Sequence, residues 1–210
     1  MATLVDKYFS HADFDMIEAA VKKAELTSDG EIAVQLASTS RLWQVERQLY
    51  ALGFAVLCAL VTLYFTRDVN WGVYYNTTQA LLWSAVGFVG AYFSWKYVLG
   101  GNTRMRRVVW NKALGIFERL TPTRGHTGVL VYVSLEEEQA AIIADKAIAA
   151  KLAPEYWHTP HAMIIDAIKA GRHAEGIVQA IESIGAELAR HFPRTGDDTN
   201  ELSDKPTITP

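Results

Sequence analysis

Two long stretches without a charged side chain limit what this chain can fold into. Residues 48–66 read QLYALGFAVLCALVTLYFT, and residues 69–95 read VNWGVYYNTTQALLWSAVGFVGAYFSW. A helix crosses the hydrocarbon layer of a bilayer with roughly 17 to 25 residues. The first run is long enough for one span, and residues 80–98 make a second if Lys96 extends its ammonium back to the headgroups. Trp43, Tyr50, Tyr64, Trp95 and Tyr97 sit near the ends of the spans, and Trp71, Tyr74 and Tyr75 lie in the link between them, as an interfacial aromatic belt requires. The link, RDVNWGVYYNTTQ, is short and rich in turn-forming residues. An antiparallel transmembrane hairpin with basic flanks is therefore predicted over residues 41–107. Ala55 with Ala59, and Gly87 with Ala91, are small residues that let two helices approach closely.

The flanking charges orient this hairpin. Arg41 and Arg47 precede it, Lys96, Arg104, Arg106, Arg107 and Lys112 follow it, and the link carries only Arg67 beside Asp68. The positive-inside bias puts both chain ends in the cytoplasm. The basic segment GNTRMRR can also rest on anionic headgroups. Half of the 210 residues are hydrophobic while the formal net charge is only -3, so nothing in the total suggests nucleic-acid binding. The one cysteine, Cys58, lies in an apolar run and cannot form an internal disulfide. No signal-peptide h-region is found in MATLVDKYFSHADF.

The remaining chain reads as one domain that the hairpin interrupts, with residues 1–40 as its first part, 108–192 as its second and 193–210 as a polar tail. Ser10 caps a helix that places Phe14, Ile17, Val21 and Ala24 on one face. In EIAVQLAS the alternation of Ile32, Val34 and Leu36 predicts a strand covered on one face. One helix and one strand cannot close a core, so they need the second half of the chain. There VVWNKALGIFERL predicts a helix, and GVLVYVSL a central strand apolar on both faces. EEEQ reads as a solvated turn, and AAIIA as a second strand that stops at Asp145. Three helical segments follow, the last carrying Ile177, Ile181, Ile184, Leu188 and Phe192 on one stripe, and the tail is expected to be extended or mobile. The predicted fold class is α/β: an αβα sandwich around a small mixed sheet, interrupted by the transmembrane hairpin.

Chemistry has few footholds. Glu31 begins one strand and Asp145 ends another; at a common sheet edge they would offer oxygen ligands to a hard cation such as Ca2+ or Mg2+, with Asp29, Thr127 and Asp166 as loosely placed extras. The bland alternative is a pair of strand-end carboxylates satisfied by water, backbone donors or Lys146. Arg124 and Arg172 are candidates for a phosphate or acidic ligand, against the ordinary role of solvent-facing arginines. His158 and His161 lack the companions that zinc requires, and Ser134 and Ser183 lack a nucleophile-elbow motif. Trp157 reads as packing at a helix junction rather than a stacking platform.

The segments TSDGEIAVQL, LGIFERL and TRGHTGVLVYVSLEEEQAAIIADKAI, with the later W…M…I…G…EGI…AI series, resemble the TPM domain family over about residues 10–192. The ending FPRTGDDTNELSDKP is similar to the tails of its bacterial membrane members. The resemblance implies an αβα sandwich, an inner-membrane location, and the range of roles associated with the family: photosystem repair or protection, receptor accessory functions, divalent-cation binding and acid phosphatase activity. Glu31 and Asp145 are the acidic positions it carries over. This chain departs from soluble members at the strand end, where ADKAI stands in place of a glycine-containing turn. Two functions are thereby expected. One is a membrane-anchored accessory or scaffold protein whose partners are the lipid bilayer, membrane or cytoplasmic proteins, and further copies of itself. The alternative is a weak divalent-cation-dependent acid phosphatase.

Overall fold

The computed structural model describes residues 4–40, 43–67, 76–98, 101–120, 127–195 and 202–209. Arg41, Trp71, Tyr74, Tyr75 and Arg124 lie outside the described residues, and so does the side chain of Lys96. The chain divides into two compact units, one of residues 1–40 and 105–210 and the other of residues 41–104.

In the first unit a short helix α1 (Leu4–Tyr8) leads to α2 (His11–Glu25). Ser10 starts α2 with a reciprocal cap: its hydroxyl accepts from the Asp13 amide at 3.3 Å, and its own amide donates to the Asp13 carboxylate at 2.7 Å. Strand β1 (Glu31–Ala37) follows. In the second unit, α3 (Trp43–Phe65) and α4 (Thr77–Val98) pack side by side. The chain then continues through α5 (Asn102–Leu120) to β2 (Gly128–Ser134), β3 (Gln139–Ala144), α6 (Lys146–Lys151) and one turn of 3-10 helix (Pro154–Trp157). It closes with α7 (His158–Lys169), α8 (His173–His191) and β4 (Thr207–Thr209).

The sheet is small and mixed, in the order β3-β2-β1-β4. β1 runs parallel to both β2 and β4, whereas β2 and β3 form the antiparallel hairpin that the sequence predicts. Parallel neighbours cannot be joined by a tight turn and need a crossover. Here α5 supplies it, and the α3–α4 segment is inserted between the end of β1 and the start of α5.

Strand alternation sends side chains to two different cores. Ile32, Val34, Leu36, Val129, Val131, Val133 and Ile142 face α2, α7 and α8, where the stripe Ile177, Ile181, Ile184 and Leu188 is fully buried. Ala33, Ala37, Leu130, Tyr132, Ala141 and Ile143 face Val109, Ala113 and Phe117 of α5. β1 is thus covered on both faces, not one, because α5 closes over its alanines. The tail differs from expectation in the same region. Residues 207–209 pair with Gln35, Leu36 and Ala37, so the tail supplies the fourth strand.

The α3–α4 unit is held by small residues and by aromatic contacts at one end. Ala51, Ala55, Ala80 and Ala91 are buried, and a Cβ placed on Gly87 would lie 2.7 Å from the Cys58 sulfur. The Trp43 and Trp95 rings are 5.4 Å apart, and the Arg47 guanidinium lies 4.2 Å from the Tyr92 ring centre. Leu52, Val56, Leu60, Leu81, Val89 and Phe93 remain exposed. Among the described residues one helix, Val45–Phe65, is long and apolar enough to cross a membrane, with mean hydropathy 1.9.

Candidate functional site

Glu31 and Asp145 come to the same edge of the sheet, at the amino ends of β1 and β2. Glu31 is in register with Gly128, and the Asp145 amide donates to the Gly128 carbonyl at 2.9 Å. The two acids therefore flank Gly128 on adjacent strands, with Cα atoms roughly 10 Å apart at two inter-strand steps. Alternation sends both toward the α5 side, and Gly128 contributes no side chain between them.

Each carboxylate has local work. Glu31 is 4% exposed, and its Oε2 accepts from the Leu202 amide at 3.1 Å, which ties the tail to the start of β1. Asp145 is 8% exposed and caps α6, accepting from the Lys146 amide at 2.6 Å. A third carboxyl, Glu25, accepts from the Ile32 amide at 3.0 Å. Burial pushes the Glu25 carboxyl up to about 8; the negative charges of Glu31 and Asp204 push the same way, and the Ile32 amide opposes them. Glu25 thus keeps its proton and shares a hydrogen bond with Asp204. Among the described residues, no group of three or more His, Cys, Asp or Glu is placed to hold a metal ion.

The raised Glu25 carboxyl has a consequence for stability. The folded chain holds this proton up to about pH 8, whereas the unfolded chain releases it near 4.5. Stability therefore falls as pH rises between those values, and Glu25→Gln should abolish the fall. Allowing for solvent screening of a partly exposed group, the loss is ~2 kcal/mol. Melting temperatures of both proteins across this window check it; parallel curves would refute the assignment.

Arg172 is not brought to this edge. It precedes α8, is exposed, and pairs with Glu175 at 3.2 Å. Leu188, near the other end of α8, packs against Gly30 beside Glu31, about 24 Å away along the helix at 1.5 Å per residue. His161 is engaged by the Ala140 carbonyl at 3.1 Å, and burial pushes its imidazole below the usual histidine range. Trp157 packs against the core beside Tyr156.

A second polar cluster, which sequence reasoning missed, lies at the opposite end of the sheet. Glu137 is not part of a solvated turn: it is 3% exposed. Its Oε1 accepts from the Ser40 amide at 2.9 Å and the Thr39 hydroxyl at 3.1 Å, and its Oε2 accepts from the Ser134 hydroxyl. The Ser40 hydroxyl donates to Ser134 at 2.8 Å, so Tyr132, 3.0 Å away, is left to donate to Ser40. The protons thus point in one direction, from Tyr132 through Ser40 and Ser134 to the Glu137 carboxylate. Burial pushes the Tyr132 phenol up, which keeps it protonated and able to donate. The cluster joins the β2–β3 turn to the residues that leave β1. It is a satisfied network with the form of a structural clasp. The only signal for it in the sequence is the polar set Thr39, Ser40 and Ser134, whose meeting depends on strand register.

Comparison with known proteins bears on the fold. No family model matches the sequence, and no curated protein matches it. Among solved structures, the chain is similar to the one described as the NMR structure of BA42 protein from the psychrophilic bacteria Bizionia argentinensis sp. nov.. The TM-score is 0.60 at 22% identity, over 96% of this chain and 95% of that one. This likeness is one of fold alone.

Proposed function

We propose that the chain is a two-pass membrane protein with both ends in the cytoplasm, at the inner membrane of a bacterium, and that its αβα domain is an accessory or scaffold domain for membrane or cytoplasmic proteins. The observation that carries this reading is the insertion of α3 and α4, with apolar side chains exposed along both, into the β1–β2 crossover of a single domain. A segment that leaves and re-enters one domain has both ends on one side of a bilayer. Val45–Phe65 is apolar enough to span, and α4, with 22 residues and no acid, completes the return.

The test uses single cysteines in a Cys58→Ser background. Asn70→Cys should react with an impermeant maleimide in intact cells, and Ser203→Cys only after permeabilisation. The reverse pattern would overturn the orientation, and release of the chain by alkaline wash would overturn the spanning. Copurification of differently tagged copies tests self-association.

A second reading rests on one feature, the placement of Glu31 and Asp145 on either side of Gly128 at one sheet edge. In it, Glu31 and Asp145 hold Ca2+ or Mg2+ for a weak acid phosphatase, with Arg124 as the phosphate partner. The scaffold reading expects cation titration and phosphate release to be the same for the solubilised protein and its Asp145→Ala variant. Loss of both in the variant would favour the enzyme.

A further inference from the structure

We infer that the exposed flank of α5 that carries Arg106, Arg107, Trp110 and Leu114 lies against anionic phospholipid headgroups. The inference rests on the two-pass reading above and adds to it a specific lipid chemistry.

The buried stripe of α5, Met105, Val109, Ala113 and Phe117, faces inward, and its last three members pack on the sheet. Positions 106, 107, 110 and 114 share one exposed flank of the helix beside that stripe by helical spacing. On it Trp110 is 48% exposed and Leu114 38%, one turn apart and next to the arginines, which joins an apolar contact to a cationic one. Arg106 and Arg107 stand beside them, Lys112 projects from the other flank, and no acid occurs in α5 before Glu118. Arg104 is engaged by Glu46 at 2.9 Å, so Arg106 and Arg107 set the charge of the face.

Chain connectivity specifies what this face meets. α4 ends at Val98 and α5 begins at Asn102. At no more than about 3.6 Å per residue, the first turn of α5 starts within about 14 Å of the end of α4. If α4 ends at the interface, the backbone at Arg106 and Arg107 stays within about 22 Å of it, and their long side chains can reach back toward the headgroups. Tryptophan prefers that layer, and clustered Lys and Arg beside a span select anionic lipid. The apolar stripe of α5 is already committed to the sheet, so insertion is shallow and the contact is governed by charge.

The experiment uses the full chain with Cys58→Ser and Asn111→Cys, labelled at position 111 with an environment-sensitive nitrobenzoxadiazole. It is reconstituted in vesicles of phosphatidylcholine alone or mixed with phosphatidylglycerol. The label should shift to the blue and be quenched by headgroup-level spin-labelled lipid only in the anionic vesicles, and high salt should reverse both signals. Adding Arg106→Glu and Arg107→Glu should weaken the contact roughly tenfold or more. A label equally polar in both vesicle types, in a chain that resists alkaline wash, would overturn the inference, leave the membrane reading intact and assign the face to a protein partner. A chain stripped by the wash would overturn both. The salt response uses no charge-altered variant, so poor folding of the double glutamate would not rescue the idea.

Discussion

Replacing Glu137 by alanine is expected to lower the stability of the sheet domain by about 3 kcal/mol, whereas Glu136→Ala and Glu138→Ala should each change it by less than about 0.5 kcal/mol. The three glutamates are adjacent in sequence, but Glu137 is buried and its neighbours are exposed. The large effect comes from the groups left behind. Without the carboxylate, the Ser40 amide and the Ser134 and Thr39 hydroxyls lose the acceptor that each now uses. A buried donor without an acceptor costs about 1 to 3 kcal/mol. Glu137→Gln should fall between, since the amide keeps one acceptor oxygen but turns donors toward hydroxyls that already point at it. Hydrogen exchange of the β2 amides in the detergent-solubilised chain reads the effect. Equal changes at all three positions would remove the clasp from the account.

The second large effect is expected at Gly176, where α8 lies tight against α7. A Cβ there would meet the Ala167 Cβ at 2.2 Å and the Met163 carbonyl oxygen at 3.0 Å. Alanine normally improves a helix by about 1 kcal/mol over glycine. At this site the gain is outweighed, because the obstructing atoms are a methyl fixed to a backbone and the backbone itself. Gly176→Ala should therefore destabilise by about 1 to 2 kcal/mol and Gly176→Leu by about 3 kcal/mol. Gly115, in α5, has nothing within 4 Å of its added Cβ, so Gly115→Ala should stabilise by up to about 1 kcal/mol. Ala167→Gly combined with Gly176→Ala moves the methyl across the interface and should recover most of the loss. Denaturation midpoints of the four proteins decide it: if Gly176→Ala behaves like Gly115→Ala, the helices are not in contact there.

What could be read from the sequence was local. Ser10 and its cap, the strands on either side of EEEQ, and the 177–188 stripe depend on residues a few positions apart, and each appears where its pattern places it. Contacts across the chain left weaker marks. The second covered face of β1 is signalled only by Ala33 and Ala37, whose smallness has meaning once α5 lies over them. The tail strand is three residues of threonine and isoleucine in a polar stretch, and it is ordered by β1 rather than by its own composition. For the candidate site, composition could nominate Glu31 and Asp145, but only the pairing of both with Gly128 brings them to one edge. The Asp145 cap was readable, since aspartate ahead of an alanine-rich run is a helix start. The remoteness of Arg172 was not, because it follows from how far α8 extends past Gly30.

The position of the inserted helices also sets an order of events during synthesis. Ala37 and Ser134 are partners in the sheet, yet all of α3, α4 and α5 is made between β1 and β2. At about 5 to 20 residues per second, β1 waits several seconds for its neighbour. During that interval α2 and β1 have no sheet to join, while α3 and α4 have already been made. On the two-pass reading proposed above, the nascent chain therefore meets its membrane before it can complete its domain, and until then its apolar first strand is unpaired.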